Sequence, residues 1–229
     1  IVAGRYGNQI AKNNNIKNII NTNAADVDTY NIALNKVKKN SKILNNKQFI
    51  VFLDNGMYVH PDTILTHSVV SGNSNNYYTQ LNLALKKIEK KSNNNIVIAA
   101  HPKISRSHYE KYFSQFSVFY GKTAELVINS SHVFVVNSAS INFAVLAGKP
   151  ITFLTNKDIR RSYIYPFTRK WASLLSSQIY NLEDSDKISI LNRYDSKKYN
   201  FYIDEFLKLS TSTENISRWN PVLEWIKNN

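Results

Sequence analysis

The sequence predicts an α/β protein: a Rossmann-like parallel sheet with helices on both faces. Two observations predict it. Apolar runs alternate with amphipathic helical segments from about Gln48 to Thr155. The apolar runs are continuous rather than alternating, as in strands covered on both sides. The crossovers between them are short.

The elements follow in order. Ile1–Gly4 reads as a short strand already under way, Arg5–Asn15 as a polar loop, and Ile16–Thr22 as a strand. Asp26–Asn40 has acids at its start, lysines at its end, and Tyr30, Ala33, Leu34 and Val37 on one face, which predicts a helix. Gln48–Gly56 is a strand closed by the turn signal Asn55-Gly56. Met57–Asn76 reads as a long loop, and loops of that length are often functional. Tyr77–Ser92 is an amphipathic helix with Leu81, Leu85 and Ile88 on one face, and Asn95–Ala100 is a strand. Ser105–Phe116 reads as a short helix, Ser117–Gly121 as a strand, and Thr123–Ser130 as a helix with Thr123 at its N-cap. His132–Asn137 is a strand and Ser138–Pro150 a helix with a stop signal at Gly148. Ile151–Thr155 is a strand, and the rest reads as helical: Ile159–Ser177, Tyr199–Leu209 and Glu214–Asn228.

Composition excludes several classes. The 229 residues contain no cysteine, so a disulfide framework, a zinc–thiolate site and a cysteine nucleophile are ruled out. The net charge of +13 favours anionic partners. The basic residues form pairs such as Lys86-Lys87, Lys90-Lys91 and Arg160-Arg161, not a dense stripe or a known module. Nucleic acid is therefore not the expected partner. No apolar run reaches the roughly 20 residues that span a bilayer. Neither a Gly-rich dinucleotide fingerprint, a phosphate-binding P-loop nor a nucleophile elbow is present. His60 and His67 flank Asp62, but no helical spacing supports a metal, and none is expected.

In an open parallel sheet, ligands bind beyond the carboxyl ends of the strands. Four such ends are Asp54-Asn55-Gly56, His101-Pro102-Lys103, Asn137-Ser138-Ala139-Ser140 and Thr155-Asn156-Lys157. All are polar and two carry lysine, which suits a negatively charged ligand. Ser138 or Ser140 is a natural N-cap, and free amides at that helix start would bind phosphate, unless the serine is a plain cap. His101 would contact a phosphate oxygen or move a proton, with Pro102 aiming its ring, unless it only caps a strand end. Asp54 is a candidate general base or an ordinary turn residue. Glu125 is a candidate ribose partner or a surface helix residue. His60-Pro61 is a second His-Pro dipeptide, in the long loop.

The ordered set "LDNG" (Leu53–Gly56), "AAHPK" (Ala99–Lys103) and "NSASINFAVLAGKPI" (Asn137–Ile151) resembles bacterial glycosyltransferases with two facing Rossmann-like domains, the GT-B architecture. It is similar to the sialyltransferase and polysialyltransferase groups and to capsule and lipooligosaccharide enzymes. Thr123–Pro150 also resembles UDP-sugar epimerases and transferases.

The resemblance implies a nucleotide-sugar transferase acting on a bacterial surface glycan, with a CMP-linked, sialic-acid-like donor first and a UDP-sugar transferase or 2-epimerase second. It implies Asp54 as base and His101 with Pro102, Lys103, Asn137, Ser138 and Ser140 around the phosphate, with Glu125 near the ribose. No cofactor beyond the donor, no metal, and inversion at the sugar are expected. The expected partners are the donor and a glycan or lipid-linked acceptor. The expected location is cytoplasmic with peripheral inner-membrane contact, for which the basic, aromatic Arg160–Trp171 is the candidate. The expected division is a partial or truncated region 1–46, a nucleotide-sugar-binding domain 47–212, and a helix packing back in 213–229. The non-enzymatic alternative is a basic α/β module binding a polyanion.

Overall fold

The computed structural model describes residues 1–39, 48–65, 72–208 and 217–228. The chain opens with β1 (Val2–Ala3), helix α1 (Gly4–Asn13), β2 (Asn21–Thr22) and helix α2 (Ala25–Lys39). β1 and β2 pair in parallel as a separate two-stranded sheet. The first strand of the main sheet, β3, spans Phe49–Leu53. Then come α3 (Pro61–Leu65), α4 (Ser74–Ser92), β4 (Asn95–Ala100), α5 (Arg106–Phe113), β5 (Ser117–Tyr120) and α6 (Thr123–Asn129). The chain continues through β6 (His132–Val135), α7 (Ile141–Leu146), β7 (Ile151–Thr155), α8 (Lys157–Arg160) and α9 (Tyr165–Leu174). It closes with β8 (Gln178–Asn181), a 3-10 turn at Leu182–Lys187, α10 (Ser196–Tyr202), a π-helical turn at Ile203–Leu207, and α11 (Trp219–Asn228).

The main sheet is six-stranded, in the order β5-β4-β3-β6-β7-β8, and every pairing is parallel. The expected α/β class, with helices on both faces, is therefore present. Successive strand side chains point to opposite faces, and the core divides accordingly. Ile50, Phe52, Ile96, Ile98 and Phe134 pack with Leu81, Leu85 and Ile88 of α4 and Phe113 of α5. Val51, Leu53, Val97, Val133 and Phe153 pack with α2, α6 and α7 on the other side. Phe49–Leu53 are 0–3% exposed, which explains why β3 reads as an unbroken apolar run.

Several expected elements differ. Arg5–Asn15 is not a loop: it holds α1, whose polar composition hides its helical character. Gly4 starts that helix at φ +65°, and a Cβ there would collide with the carbonyl of Glu205 in the π-helical turn. Ile16–Thr22 is a strand only at Asn21–Thr22. The long loop holds α3, and α4 starts early at Ser74 because the Asn73 side chain accepts the amides of Asn75 and Asn76. His67 and the expected boundaries at 46–47 and 212–213 lie outside the described residues. Thr123 is the first residue of α6 rather than its cap, which is Lys122. The helix expected over Ser138–Pro150 is confined to Ile141–Leu146. The stretch read as helical from Ile159 breaks into α8 and α9, and the edge strand β8 follows it. α10 starts three residues early, at Ser196, under an Asp195 cap. α11 begins at Trp219, and the expected start at Glu214 lies outside the described residues; the preceding Ser217 and Arg218 bond to the Asp28 carboxylate.

His132 fixes the amino end of the sheet. It is 0% exposed. Nδ1 lies 3.1 Å from the Leu191 carbonyl, which can only accept, so Nδ1 carries the proton. Nε2 then accepts from the Thr152 hydroxyl at 3.0 Å. Burial lowers its pKa to about 4. An unfolded histidine near 6.5 binds more protons than this one between those values, so the neutral clamp loses stability as pH falls through that window. The stability of wild type over His132→Asn, read from melting curves, is expected to shrink by roughly 2–3 kcal/mol between about pH 7 and about pH 4.

Candidate functional site

The carboxyl edge of the sheet begins at β3. Its last residue, Leu53, is followed by Asp54, Asn55 and Gly56. Gly56 sits at φ +58°, and a Cβ there would press into the Ile104 side chain at 2.5 Å, so the turn requires glycine. The Asp54 amide donates to the Ala99 carbonyl of β4 at 3.3 Å. The Asn55 side-chain amide donates to the Asn137 carbonyl beyond β6 at 2.6 Å. The end of β3 is thus tied to its neighbours on both sides.

Asp54 lies inside this edge. It is 4% exposed. Its Oδ2 accepts the Tyr109 hydroxyl at 2.9 Å, and that hydroxyl accepts the His101 amide at 2.7 Å. Its Oδ1 has no hydrogen-bond partner among the described residues. Burial raises the carboxyl to about 6, an effect partly offset by Tyr109 and by the amides of Gly56 and Asn55. The buried hydroxyls of Tyr58, Tyr77 and Tyr78 also lack partners among the described residues, and their rings adjoin at 4.9–6.4 Å.

The two His-Pro dipeptides come together, although 41 residues separate them. The rings of His60 and His101 meet edge to face with centroids 4.7 Å apart. His101 Nδ1 accepts the Lys103 amide at 3.3 Å, and His60 Nδ1 accepts the Asp62 amide at 3.2 Å. The His101 carbonyl accepts the Ile104 amide at 3.1 Å, closing a turn with Pro102 at its second position. Lys103 Nζ reaches both Asp62 oxygens at 2.9 and 3.1 Å, linking the two loops. That bond holds the Asp62 carboxyl below its ordinary range. Burial, then His60 and Lys103, lower the His101 pKa, so its ring is neutral at neutral pH.

Asn137, Ser138 and Ser140 stand half-buried at the end of β6. β3 lies between β4 and β6, so His101 and Ser138 are about 10 Å apart across two strand spacings. The Asn137 side chain donates to the Thr168 hydroxyl at 3.1 Å. The free helix-start amides expected here are already engaged. Ser140 N bonds the Ser138 hydroxyl, and the amides of Ile141, Asn142 and Phe143 bond the carbonyls three residues back. The tight turn at Ser138–Ser140 uses these donors, leaving hydroxyls and Asn137 as the polar groups. Glu125, in the first turn of α6, faces Lys36 of α2 at 3.9 Å. At the end of β7, Asn156 caps α8 and also donates to Gln80 at 3.3 Å.

Sequence reasoning missed Tyr109, which resembles any aromatic on a helix. Its spacing of eight from His101 places it on α5, the helix that follows the His-Pro turn. Among the described residues, no cluster of three or more acidic or imidazole groups is suited to a metal ion. No helix among them is long and apolar enough to cross a membrane.

No family model matches this chain, and no curated protein matches it. Among solved structures, a variant of the wall teichoic acid polymerase TagF superposes on 99% of this chain and 57% of its own, with a TM-score of 0.51 at 14% identity. UDP-GlcNAc 2-epimerase from Methanocaldococcus jannaschii matches over 85% of this chain and 58% of its own, with a TM-score of 0.47 at 15% identity. KpsC, a β-Kdo 2,4 transferase from Thermosulfurimonas dismutans, matches over 57% of this chain and 45% of its own, with a TM-score of 0.32. The chain therefore spans little more than half the length of the first two structures and less than half of the third. The TagF likeness shows the fold, the Rossmann-like GT-B type that the sequence predicts.

A raised carboxyl costs stability as pH rises, because the unfolded chain ionises near 3.8 and the folded one near 6. The melting temperature of Asp54→Asn relative to wild type is expected to rise from about pH 4 to about pH 8, worth roughly 2–3 kcal/mol. Tyr109→Phe leaves the His101 amide and the carboxylate without their shared partner, and denaturant titration is expected to show a loss of about 1–3 kcal/mol.

Proposed function

We propose that this chain is the nucleotide-sugar-binding half of a glycosyltransferase that builds a bacterial surface glycan. The observation that carries this reading is the gathering of His101, Lys103, Asn137 and Ser138 at one carboxyl edge of a parallel sheet, where open α/β sheets take their ligands. The fold likeness to a polymerase of a wall polymer supports the same reading. The neutral His101 ring donates through Nε2 to a phosphate oxygen of the donor, and Lys103, held by Asp62, keeps its loop in place beside it. The Ser138 and Ser140 hydroxyls and the Asn137 side chain line the neighbouring strand end.

In the proposed reaction an acceptor hydroxyl oxygen bonds to the anomeric carbon as the bond from that carbon to the phosphate oxygen breaks, and the hydroxyl proton passes to a carboxylate base, Asp54 being the candidate, or to the departing phosphate. The nucleotide leaves with the electron pair, and the sugar inverts. Stabilising that departing charge is the part the hydrogen-bond donors of this edge play. Asp54 reaches this edge through Tyr109. Its part in the reading is to hold the His101 strand end, and its raised affinity for protons fits a base only if the edge opens to the acceptor. Glu125 would have to leave Lys36 to meet a ribose. The donor follows the resemblance: a CMP-linked acidic sugar. Exposed Tyr163 and Phe167, beside exposed Arg161, Arg169 and Lys170, suit the anionic inner-membrane surface where lipid-linked acceptors lie.

Thermal-shift titration with CMP and with UDP tests the donor. Stabilisation by CMP, lost in His101→Ala, is the expected result. Stabilisation by UDP alone moves the assignment to a UDP-sugar transferase or 2-epimerase. Strong, salt-sensitive polyanion binding without any nucleotide response replaces both enzyme readings with the polyanion-binding one.

A further inference from the structure

His60 enters the reading above only as a neighbour, yet its geometry repeats that of His101. Each imidazole uses Nδ1 to accept the backbone amide two residues on, from Asp62 and from Lys103. An amide N–H can bond only to an unprotonated ring nitrogen. Both neutral rings therefore carry their proton on Nε2. Among the described residues neither Nε2 has a hydrogen-bond partner, while Nδ1 of each is held. The rings are in direct contact, and only 15% of the His60 side chain is exposed. The Asp62 carboxylate, which would repel an anion, is bound on both oxygens by Lys103. Two neutral donors, locked in one tautomer and set side by side, form an acceptor-binding pair that needs no proton uptake.

We infer that His60 is a second anion ligand, and that it clamps the nucleotide's phosphate together with His101 through paired Nε2–H donors. This rests on the reading of His101 as a phosphate contact. His60 joins it from the adjacent strand-end loop, so the phosphate lies between β3 and β4 rather than over β4 alone. Lys103 stays with Asp62 and keeps the two loops in register.

Asparagine is the useful substitution at both positions. Its side-chain oxygen can still accept the amide two residues on, but it offers no donor at the Nε2 position. Calorimetric titration of the full chain with CMP and with UDP is expected to show each of His60→Asn and His101→Asn weakening binding about tenfold or more. The double variant is expected to lose less than the product of the single losses, because the rings share one phosphate. Nitrogen-15 spectra of the histidine rings in wild type are expected to show protonated Nε2 and bare Nδ1 at both residues near neutral pH. Unchanged affinity in His60→Asn beside a weakened His101→Asn overturns the clamp and leaves the His101 reading standing. A protonated Nδ1 on His60, paired with Asp62, also overturns it. Unchanged affinity in both variants, or no nucleotide binding at all, overturns the phosphate reading itself. Matching melting temperatures for the variants and wild type confirm that losses are local.

Discussion

Burial of β3 and β6 on both faces is the constraint from which the rest of the molecule follows. Phe49–Leu53 and Val133–Val135 have no solvent side, so neither strand can carry a polar side chain within its length except His132. Polar groups are displaced to the strand ends, and because every strand runs the same way, those ends meet at one edge. The site's position is thus a result of parallel pairing and two-sided packing before any chemistry is considered.

At that edge the polar groups hold one another. Asn55 bonds to the end of β6, and Asp54 bonds through Tyr109 to the end of β4. The Tyr109 hydroxyl bonds one oxygen of this carboxyl, and among the described residues the other oxygen has no hydrogen-bond partner. Burying such a group costs stability, so the edge is held in a costly arrangement. Strain of this kind in an otherwise well-packed sheet is where sequence rules are expected to give way to function.

The parallel sheet was legible because its strands are dense apolar runs, and the edge was legible because each run stops at polar residues. His101 and Ser138 could be placed from that logic alone. The meeting of His60 with His101 could not, since 41 residues and a whole helix separate two dipeptides that each look like a local turn. α1 escaped notice because polar residues mask its short apolar face, and its glycine at the start serves a backbone contact rather than a break. The amides expected to be free at the Ser138 turn are engaged for a local reason. A tight turn of i→i−3 bonds consumes the amides that a regular first helical turn would leave open, and side-chain spacing carries no trace of which form occurs.

The placement of the three tryptophans has an optical consequence. Trp219 and Trp225 ride on α11 at 50% and 43% exposure, while Trp171 is partly buried beside α7 and the π-helical turn. The Arg218 guanidinium lies over the Trp219 ring at 4.4 Å. Two of three indoles therefore emit from near-aqueous surroundings at the end of the chain, some distance in sequence from the strand-end site. Intrinsic fluorescence of this protein reports on the state of its last helix far more than on the edge where His60 and His101 meet.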